Sequence, residues 1–111
     1  EDVPAPIRDH PGAVLFRACT ACHTLRPDGG NRAGPTLFGI FGRRIGTAPG
    51  YDYSPALKTL SIVWTGETIQ KLFELGPATF TPGSKMPEQI MGRAEDRAEL
   101  VDFLERAQQL R

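Results

Sequence analysis

The stretch Cys19-Thr20-Ala21-Cys22-His23 decides the fold of this chain. Two thiols separated by two residues can add across both vinyl groups of one haem. A histidine directly after the second thiol then lies under the iron as an axial ligand. The chain holds only two cysteines, so this one segment uses all of its thiols. The spacing therefore predicts one covalent c-type haem, with Cys19 and Cys22 as the attachment points and His23 as a metal ligand.

Two other interpretations of the cysteine pair have weaker support. A thioredoxin-like redox pair belongs in a βαβ setting, and no strand pattern leads into Cys19. A zinc site needs four ligands, and the remote His10 could complete such a set only with poor spacing. Haem attachment is the interpretation that the spacing favours.

Length and charge narrow the class of protein. A chain of 111 residues forms one domain near the lower size limit for a self-sufficient core, and its 12 glycines and 10 prolines indicate many loops. A covalent haem would supply the apolar mass that such a chain lacks. Thirteen basic and 13 acidic residues cancel, which argues against nucleic acid or an anionic membrane as partner. No segment approaches the run of about 18–20 apolar residues that spans a bilayer.

The helix signals predict an all-α fold with helices at both ends and long loops between them. Residues 1–10 are expected to form an irregular arm before a single domain over residues 11–111. Proline at a first turn, serine or threonine caps and glycine stops delimit the elements. The predicted helices run from Pro11 to Cys19, from near Ser54-Pro55, from the Thr65 cap to about Leu75, and from about Ala94 to Gln109. The segment from Ala78 to Gly92 is predicted to be a loop.

The sixth position on the iron has three candidate ligands: Met86, Met91 and His10. Methionine there raises the reduction potential and closes the site, whereas an open position permits oxygen or peroxide chemistry. A lone methionine is more often core filler than a ligand, so its surroundings must decide. Met86 lies in a proline-flanked loop, and His10 is expected to be a solvated residue before the first helix.

A series of motifs in order resembles the class I c-type cytochromes, the mitochondrial and bacterial electron-carrier family. The resemblance extends from Gly12 to about Ala107. It rests on the following residues, in chain order: Gly12 and Phe16, Cys19 to His23, Gly34-Pro35-Thr36-Leu37-Phe38-Gly39, Gly42-Arg43, Gly50-Tyr51-Asp52-Tyr53-Ser54, Trp64, and Pro82-Gly83-Ser84-Lys85-Met86-Pro87. The implied fold has crossing terminal helices, with two or three shorter helices and long loops wrapped around the haem.

The resemblance also implies roles for single residues. Met86 would supply the distal sulfur, and the Pro35 carbonyl would accept the second imidazole N–H of His23. Donors to a haem propionate would be Arg43, Tyr53, Trp64 and Ser84. Gly12 and Phe16 would meet Leu100 and Leu104 where the terminal helices cross.

Two departures from the family pattern affect the distal side and the docking surface. Phe73 stands where many members carry a tyrosine, so no hydroxyl would reach the ligand sulfur. The basic ring around the haem edge is sparse: Arg32 and Lys85 match it, and Arg17 and Arg26 can be added to them. Docking on a partner would then depend less on long-range steering.

The predicted function is that of a soluble one-electron carrier, not an enzyme, which passes electrons between periplasmic redox proteins as a monomer or in a transient complex. A dedicated electron-accepting partner of one periplasmic dehydrogenase is the alternative, and a haem enzyme or gas sensor is less favoured. Thioether formation requires an exported compartment, which places the protein in a bacterial periplasm. The polar start, Glu1-Asp2-Val3-Pro4, indicates a mature form without its export signal.

Overall fold

A computed structural model describes residues 3–20, 22–26 and 29–109 of the chain. Ala21, the first two residues of the predicted arm and the last two of the predicted domain lie outside this part. The helices in it are α1 (Pro11–Phe16), α2 (Pro55–Lys58), α3 (Gly66–Leu75), α4 (Pro77–Phe80) and α5 (Ala94–Gln109). The described ranges contain no strand beyond one isolated bridge between Arg44 and Val63, which confirms the all-α prediction.

The terminal helices pack where a glycine lets two backbones meet. A methyl group on Gly12 would lie 2.4 Å from the Glu99 carbonyl oxygen and 2.5 Å from the Phe103 Cβ. One turn later Phe16 packs on Phe103, with ring centroids 5.3 Å apart, and both side chains are fully buried. The crossing is therefore centred on Phe103, whereas the sequence predicted only Leu100 and Leu104 from α5 at this position. A 3₁₀ turn over Arg17–Cys19 continues α1 to the first thiol.

His10 joins these two helices and is not the solvated residue that the sequence predicted. Its Nδ1 accepts the Gly12 backbone N–H at 2.9 Å, so His10 serves as the N-cap of α1. Its Nε2 lies 2.7 Å from an Asp102 carboxylate oxygen, so Nε2 carries the ring proton and donates it to the carboxylate. Histidine is not a preferred cap residue, which is why sequence patterns overlooked it.

The segment before α1 is also more ordered than predicted. Ala5–Ile7 form a 3₁₀ turn that packs against α5, and the Ile7 side chain is buried in the main core. The described part of the arm is therefore attached to the domain and is not an irregular extension.

Helix α3 begins and ends where the sequence predicted. The Thr65 hydroxyl accepts the Thr68 N–H, and the Thr68 hydroxyl accepts the Thr65 N–H, so the two residues form a reciprocal cap. Gly76 ends the helix with φ of +87°, a conformation that only glycine adopts without strain. The helix buries Ile69, Leu72 and Phe73.

The predicted loop from Ala78 to Gly92 was wrong at its start, because Pro77–Phe80 form α4. Proline is preorganised for a first helical turn, and the Glu88 carboxylate accepts the Ala78 N–H at 3.0 Å. Ser54 precedes α2 as predicted but makes no side-chain cap. Its hydroxyl donates instead to the Gly83 carbonyl at 2.7 Å, which connects α2 to the methionine loop.

Candidate functional site

A cavity of about 290 Å³ lies at the centre of the fold, and its lining is largely apolar. Ten of the twelve residues predicted for the site line it: Cys19, Cys22, His23, Pro35, Arg43, Tyr53, Trp64, Ser84, Lys85 and Met86. The remaining two, Arg17 and Arg32, lie elsewhere on the surface. Sequence reasoning missed several further lining residues, among them Ile45, Leu57, Ile69, Leu72, Thr81, Leu100 and Leu104. Helical periodicity marks most of them as buried but does not show that they share one cavity.

His23 is held as a neutral imidazole with one nitrogen available. Its Nδ1–H donates to the Pro35 carbonyl at 2.7 Å, so Nε2 carries the lone pair. Burial lowers the pKa of His23, and the nearby Arg43 charge lowers it further, although the Pro35 bond acts in the opposite direction. Gly34 makes this position possible, because a Cβ there would lie 2.3 Å from the His23 Cε1. An imidazole fixed in this way could bind a metal through Nε2, because the Pro35 hydrogen bond already selects the required tautomer.

The two thiols lie on one turn of backbone beside this histidine. The N–H groups of Cys22 and His23 both donate to the Cys19 carbonyl, at 3.1 and 2.9 Å. Both cysteines are free thiols that line the cavity, with Cys19 buried and Cys22 half-buried. Burial raises the pKa of the Cys19 thiol to about 11, so it stays protonated at neutral pH.

Of the two methionines, Met86 lines the cavity and Met91 does not. The Met86 N–H donates to the Ser84 hydroxyl oxygen at 3.1 Å, and this hydrogen bond holds the backbone that carries the Met86 side chain. Lys85 donates to the Asp52 carbonyl at 2.7 Å and connects the same loop to the segment before α2. Both methionines pack against the main hydrophobic core, so only the lining of the cavity distinguishes them.

Three polar side chains bring hydrogen-bond donors to the apolar cavity. The Tyr53 hydroxyl accepts the Ala48 N–H at 3.0 Å, which leaves its own O–H for another acceptor. The Trp64 indole N–H has no acceptor among the described residues. Arg43 donates to the Thr36 and Phe38 carbonyls, which uses two of its five N–H groups. Burial raises the pKa of Tyr53 and lowers that of Arg43.

This donor set fits a covalently attached haem. The cavity offers two free thiols, a neutral imidazole nitrogen, a thioether sulfur and apolar walls. It also offers donors and a positive charge, which a buried propionate would need. The zinc alternative fits poorly because His10, the only other histidine, is bonded to Asp102 outside the cavity.

A second group of metal-ligating atoms lies outside the cavity, at the junction of α1 and α5. The ligand atoms of His10, Glu99 and Asp102 lie within 4.8 Å of one another. The Gly12 N–H occupies the His10 Nδ1 lone pair, so the ring proton is on Nε2, the atom that faces the carboxylates. A metal at Nε2 would require that proton to move to Nδ1, against the Gly12 N–H. We therefore assign this group to helix packing.

The three residues predicted for partner docking do not form one patch. Lys85 lies by the cavity, where its ammonium is 3.6 Å from the Asp52 carboxylate. Arg17 and Arg32 line a separate surface cleft. Within the described ranges, no helix has both the length and the apolar character that crossing a bilayer requires.

Comparison with known proteins gives one consistent result. A family model described as "Cytochrome c" matches residues 10–108. The chain is 40% identical to cytochrome c of the fungus Gibberella zeae over 94 residues, 84% of this chain and 88% of the relative. It is 41% identical to cytochrome c of Arabidopsis thaliana over 95 residues, 85% and 84% of the two chains. Cytochrome c 2.1 of the nematode Caenorhabditis briggsae is 39% identical over 106 residues, 94% and 91%.

These relatives contradict the predicted bacterial periplasm. They come from a fungus, a plant and a nematode, and they support the mitochondrial intermembrane space or a similar compartment. The prediction failed because haem attachment requires only a compartment in which haem and reduced thiols meet. The residues of the site do not distinguish one such compartment from another.

Proposed function

Because the chain belongs to the cytochrome c family, we propose that it carries single electrons on a haem iron held between His23 and Met86. Members of the family are electron carriers with one covalently bound haem c. When bound, the haem supplies a reversible one-electron couple between Fe(III) and Fe(II). The observation that carries the proposal is that Cys19, Cys22, His23 and Met86 all line the same cavity.

On the proximal side, Pro35 orients His23 and increases its basicity. A carbonyl that accepts the Nδ1–H increases electron density on Nε2, as outer partners of metal-bound histidines generally do. Cys19 and Cys22 would hold the cofactor by thioethers on the turn that precedes this histidine. We propose that the short stretch of chain between the two thioether bonds and His23 keeps the position of His23 similar in the two oxidation states of the iron.

On the distal side, hydrogen bonds to two serines hold the methionine loop in place. Ser84 accepts the Met86 N–H, and Ser54 donates to Gly83 three residues before Met86. A thioether is a soft ligand that favours the reduced iron and raises the potential. Phe73 lines the cavity with a ring that cannot donate a hydrogen bond to this sulfur. The reduction potential would therefore depend more on the burial of the haem and on the residues around its propionates than on a hydrogen bond to the Met86 sulfur.

For the propionates we propose Arg43, Tyr53, Trp64 and Ser84 as surroundings. A buried carboxylate is costly unless donors and positive charge compensate for lost hydration. Tyr53 and Trp64 each keep a donor for such an acceptor, and the half-buried Arg43 supplies the charge. Arg43 is held by two backbone carbonyls, so its position is fixed before any propionate is present.

Docking on redox partners is proposed to involve Arg17, Arg32 and Lys85. Their charges would meet acidic groups on the partner, so the rate of electron transfer should fall as salt is added. Asp52 partly neutralises Lys85, so the Lys85→Gln variant should change this salt dependence less than Arg32→Gln. A rate independent of ionic strength in the unmodified protein would exclude these residues as the docking surface.

Carbon monoxide binding to the reduced protein tests the closed-carrier proposal against a haem enzyme or gas sensor. If Met86 occupies the sixth position, the unmodified protein should bind the gas slowly and incompletely at neutral pH, and Met86→Ala should bind it rapidly. Met91→Ala is the matched control and should behave like the unmodified protein, since Met91 does not line the cavity. Rapid, complete binding by the unmodified protein would exclude the carrier with two retained ligands.

A further inference from the structure

The methionine loop, residues 81–90, is well attached in the half that precedes Met86. The Ser84 N–H donates to the Thr81 carbonyl at 3.0 Å, and the Thr81 hydroxyl donates to the Pro77 carbonyl at 2.9 Å. The Thr81 side chain is buried, and these bonds connect the loop to α4. Two further hydrogen bonds, described above, connect the same half to the segment before α2.

The half of the loop that follows Met86 has fewer attachments. In the part of the chain that the structure describes, residues 87–90 make no hydrogen bond to another backbone group. Backbone pairing resumes at Met91, whose N–H donates to the Phe73 carbonyl at 2.8 Å. Between the two methionines, the one side chain that hydrogen-bonds to a described residue is that of Glu88. This half of the loop therefore depends on a single carboxylate.

The Glu88 carboxylate crosses the loop to the start of α4. Its Oε1 accepts the Ala78 N–H at 3.0 Å, across ten residues of sequence. Its Oε2 lies beside Gly76, where an added Cβ would be only 2.7 Å away. Gly76 therefore leaves the space that the carboxylate occupies. Glu88 forms no ion pair with the described residues, so a backbone N–H, and not a cation, determines its position.

We propose that Glu88 is a positioning residue for Met86, because its carboxylate closes the methionine loop and limits how often the thioether leaves the iron. The proposal rests on Met86 as the sixth ligand. Glu88 follows Met86 by two residues, a stretch of at most about 7 Å, so the bond to Ala78 restricts movement of the Met86 backbone. Hydrogen bonds to an ionised carboxylate are about twice as strong as neutral ones, which makes Glu88 an effective closure.

The rate at which carbon monoxide binds the reduced, haem-loaded protein tests this role. The gas can reach the iron only while Met86 is dissociated, so the rate reports how often the loop opens. Glu88→Ala should bind the gas about tenfold faster than the unmodified protein, since loss of one hydrogen bond to a charged group corresponds to about that factor. The Glu88 side chain is exposed, and an unchanged far-ultraviolet spectrum would confirm that the variant is folded.

Two conservative variants separate the hydrogen bond from the charge. Glu88→Gln keeps an acceptor oxygen at the same reach and should bind the gas no more than about threefold faster than the unmodified protein. Glu88→Asp keeps the charge but is one methylene shorter, so it cannot reach the Ala78 N–H without backbone movement and should resemble Glu88→Ala. The opposite order of Gln and Asp would show that the charge acts on the iron from a distance, and it would overturn the positioning role.

Two control variants separate loop opening from net charge and from global stability. Glu74→Ala removes the same charge from an exposed position on α3. His10→Ala weakens the junction of α1 and α5, where the His10 side chain bonds to Gly12 and Asp102. Opening of one loop and global unfolding are separate equilibria. Both controls should therefore bind the gas within about twofold of the rate of the unmodified protein.

The double variant Met86→Ala and Glu88→Ala distinguishes this proposal from the proposed function. It should bind the gas no faster than Met86→Ala alone, because no ligand remains for Glu88 to position. The positioning role is overturned if Glu88→Ala is as slow as the unmodified protein while Met86→Ala is fast, or if His10→Ala accelerates binding as much as Glu88→Ala. Rapid binding by the unmodified protein would instead refute Met86 as the ligand and, with it, both proposals.

Discussion

Replacing Gly34 by alanine should distort the proximal histidine without altering any ligand. The added Cβ would lie 2.3 Å from His23 Cε1 and 2.8 Å from both ring nitrogens, whereas ordinary contact begins near 3.4 Å. The ring or the backbone must therefore move by about 1 Å. Overpacking of this kind typically costs about 1–3 kcal/mol. If the movement also breaks the 2.7 Å bond from His23 to Pro35, it adds about 1 kcal/mol.

We therefore expect Gly34→Ala to lower the unfolding free energy of the haem-loaded protein by about 2–4 kcal/mol. Guanidinium denaturation followed by far-ultraviolet circular dichroism measures this change, and the reduction potential reports on the ligand directly. Gly92→Ala is the control, because a Cβ there meets nothing within 4 Å. It should stay within about 0.5 kcal/mol of the unmodified protein. If Gly34→Ala matched this control in both stability and potential, the proposed packing behind His23 would be refuted.

Three further predictions concern the helix junction and the propionate surroundings. His10→Ala should destabilise the protein by about 1–2 kcal/mol in urea denaturation, and His10→Asn should recover part of this loss because asparagine also caps helices. The Arg106 and His10 hydrogen bonds hold the pKa of Asp102 below its usual value. The stability that these two hydrogen bonds give the folded protein is therefore complete above the pKa of Asp102 in the unfolded chain, about 4. It is lost as the pH falls through the lower pKa of Asp102 in the folded protein. Asp102→Asn should accordingly flatten the decline of unfolding free energy between about pH 5 and pH 3, and an unchanged slope would contradict this. Arg43→Gln should lower the reduction potential, on the order of 50 mV for loss of one nearby charge, whereas the exposed Arg44→Gln should leave it unchanged in voltammetry.

Sequence patterns predicted those elements whose signals are local. Helix α5 runs from Ala94 to Gln109 as expected, and the Thr65 cap and Gly76 stop delimit α3. Helix α4 was missed because four residues are too short for a periodic pattern, and its support comes from Glu88, ten residues away. Contacts distant in sequence do not appear in local patterns.

The same distinction applies to the terminal helices and the site. Gly12 and Phe16 were expected at the crossing with Leu100 and Leu104, but Phe103, which lies between those two leucines in sequence, was overlooked. His10 was misjudged because its partner, Asp102, is 92 residues away. The cavity residues with chemical roles were predicted because they belong to recognisable sequence motifs. The apolar residues that line the cavity come from separate helices, and only the folded structure brings them together.

The absorption spectrum of the ferric protein tests the central claim most directly. Methionine sulfur on a ferric haem gives a weak charge-transfer band in the red. We predict this band in the unmodified protein and in Met91→Ala, and its loss in Met86→Ala. Absence of the band from the unmodified protein, or its persistence in Met86→Ala, would contradict a haem iron held between His23 and Met86.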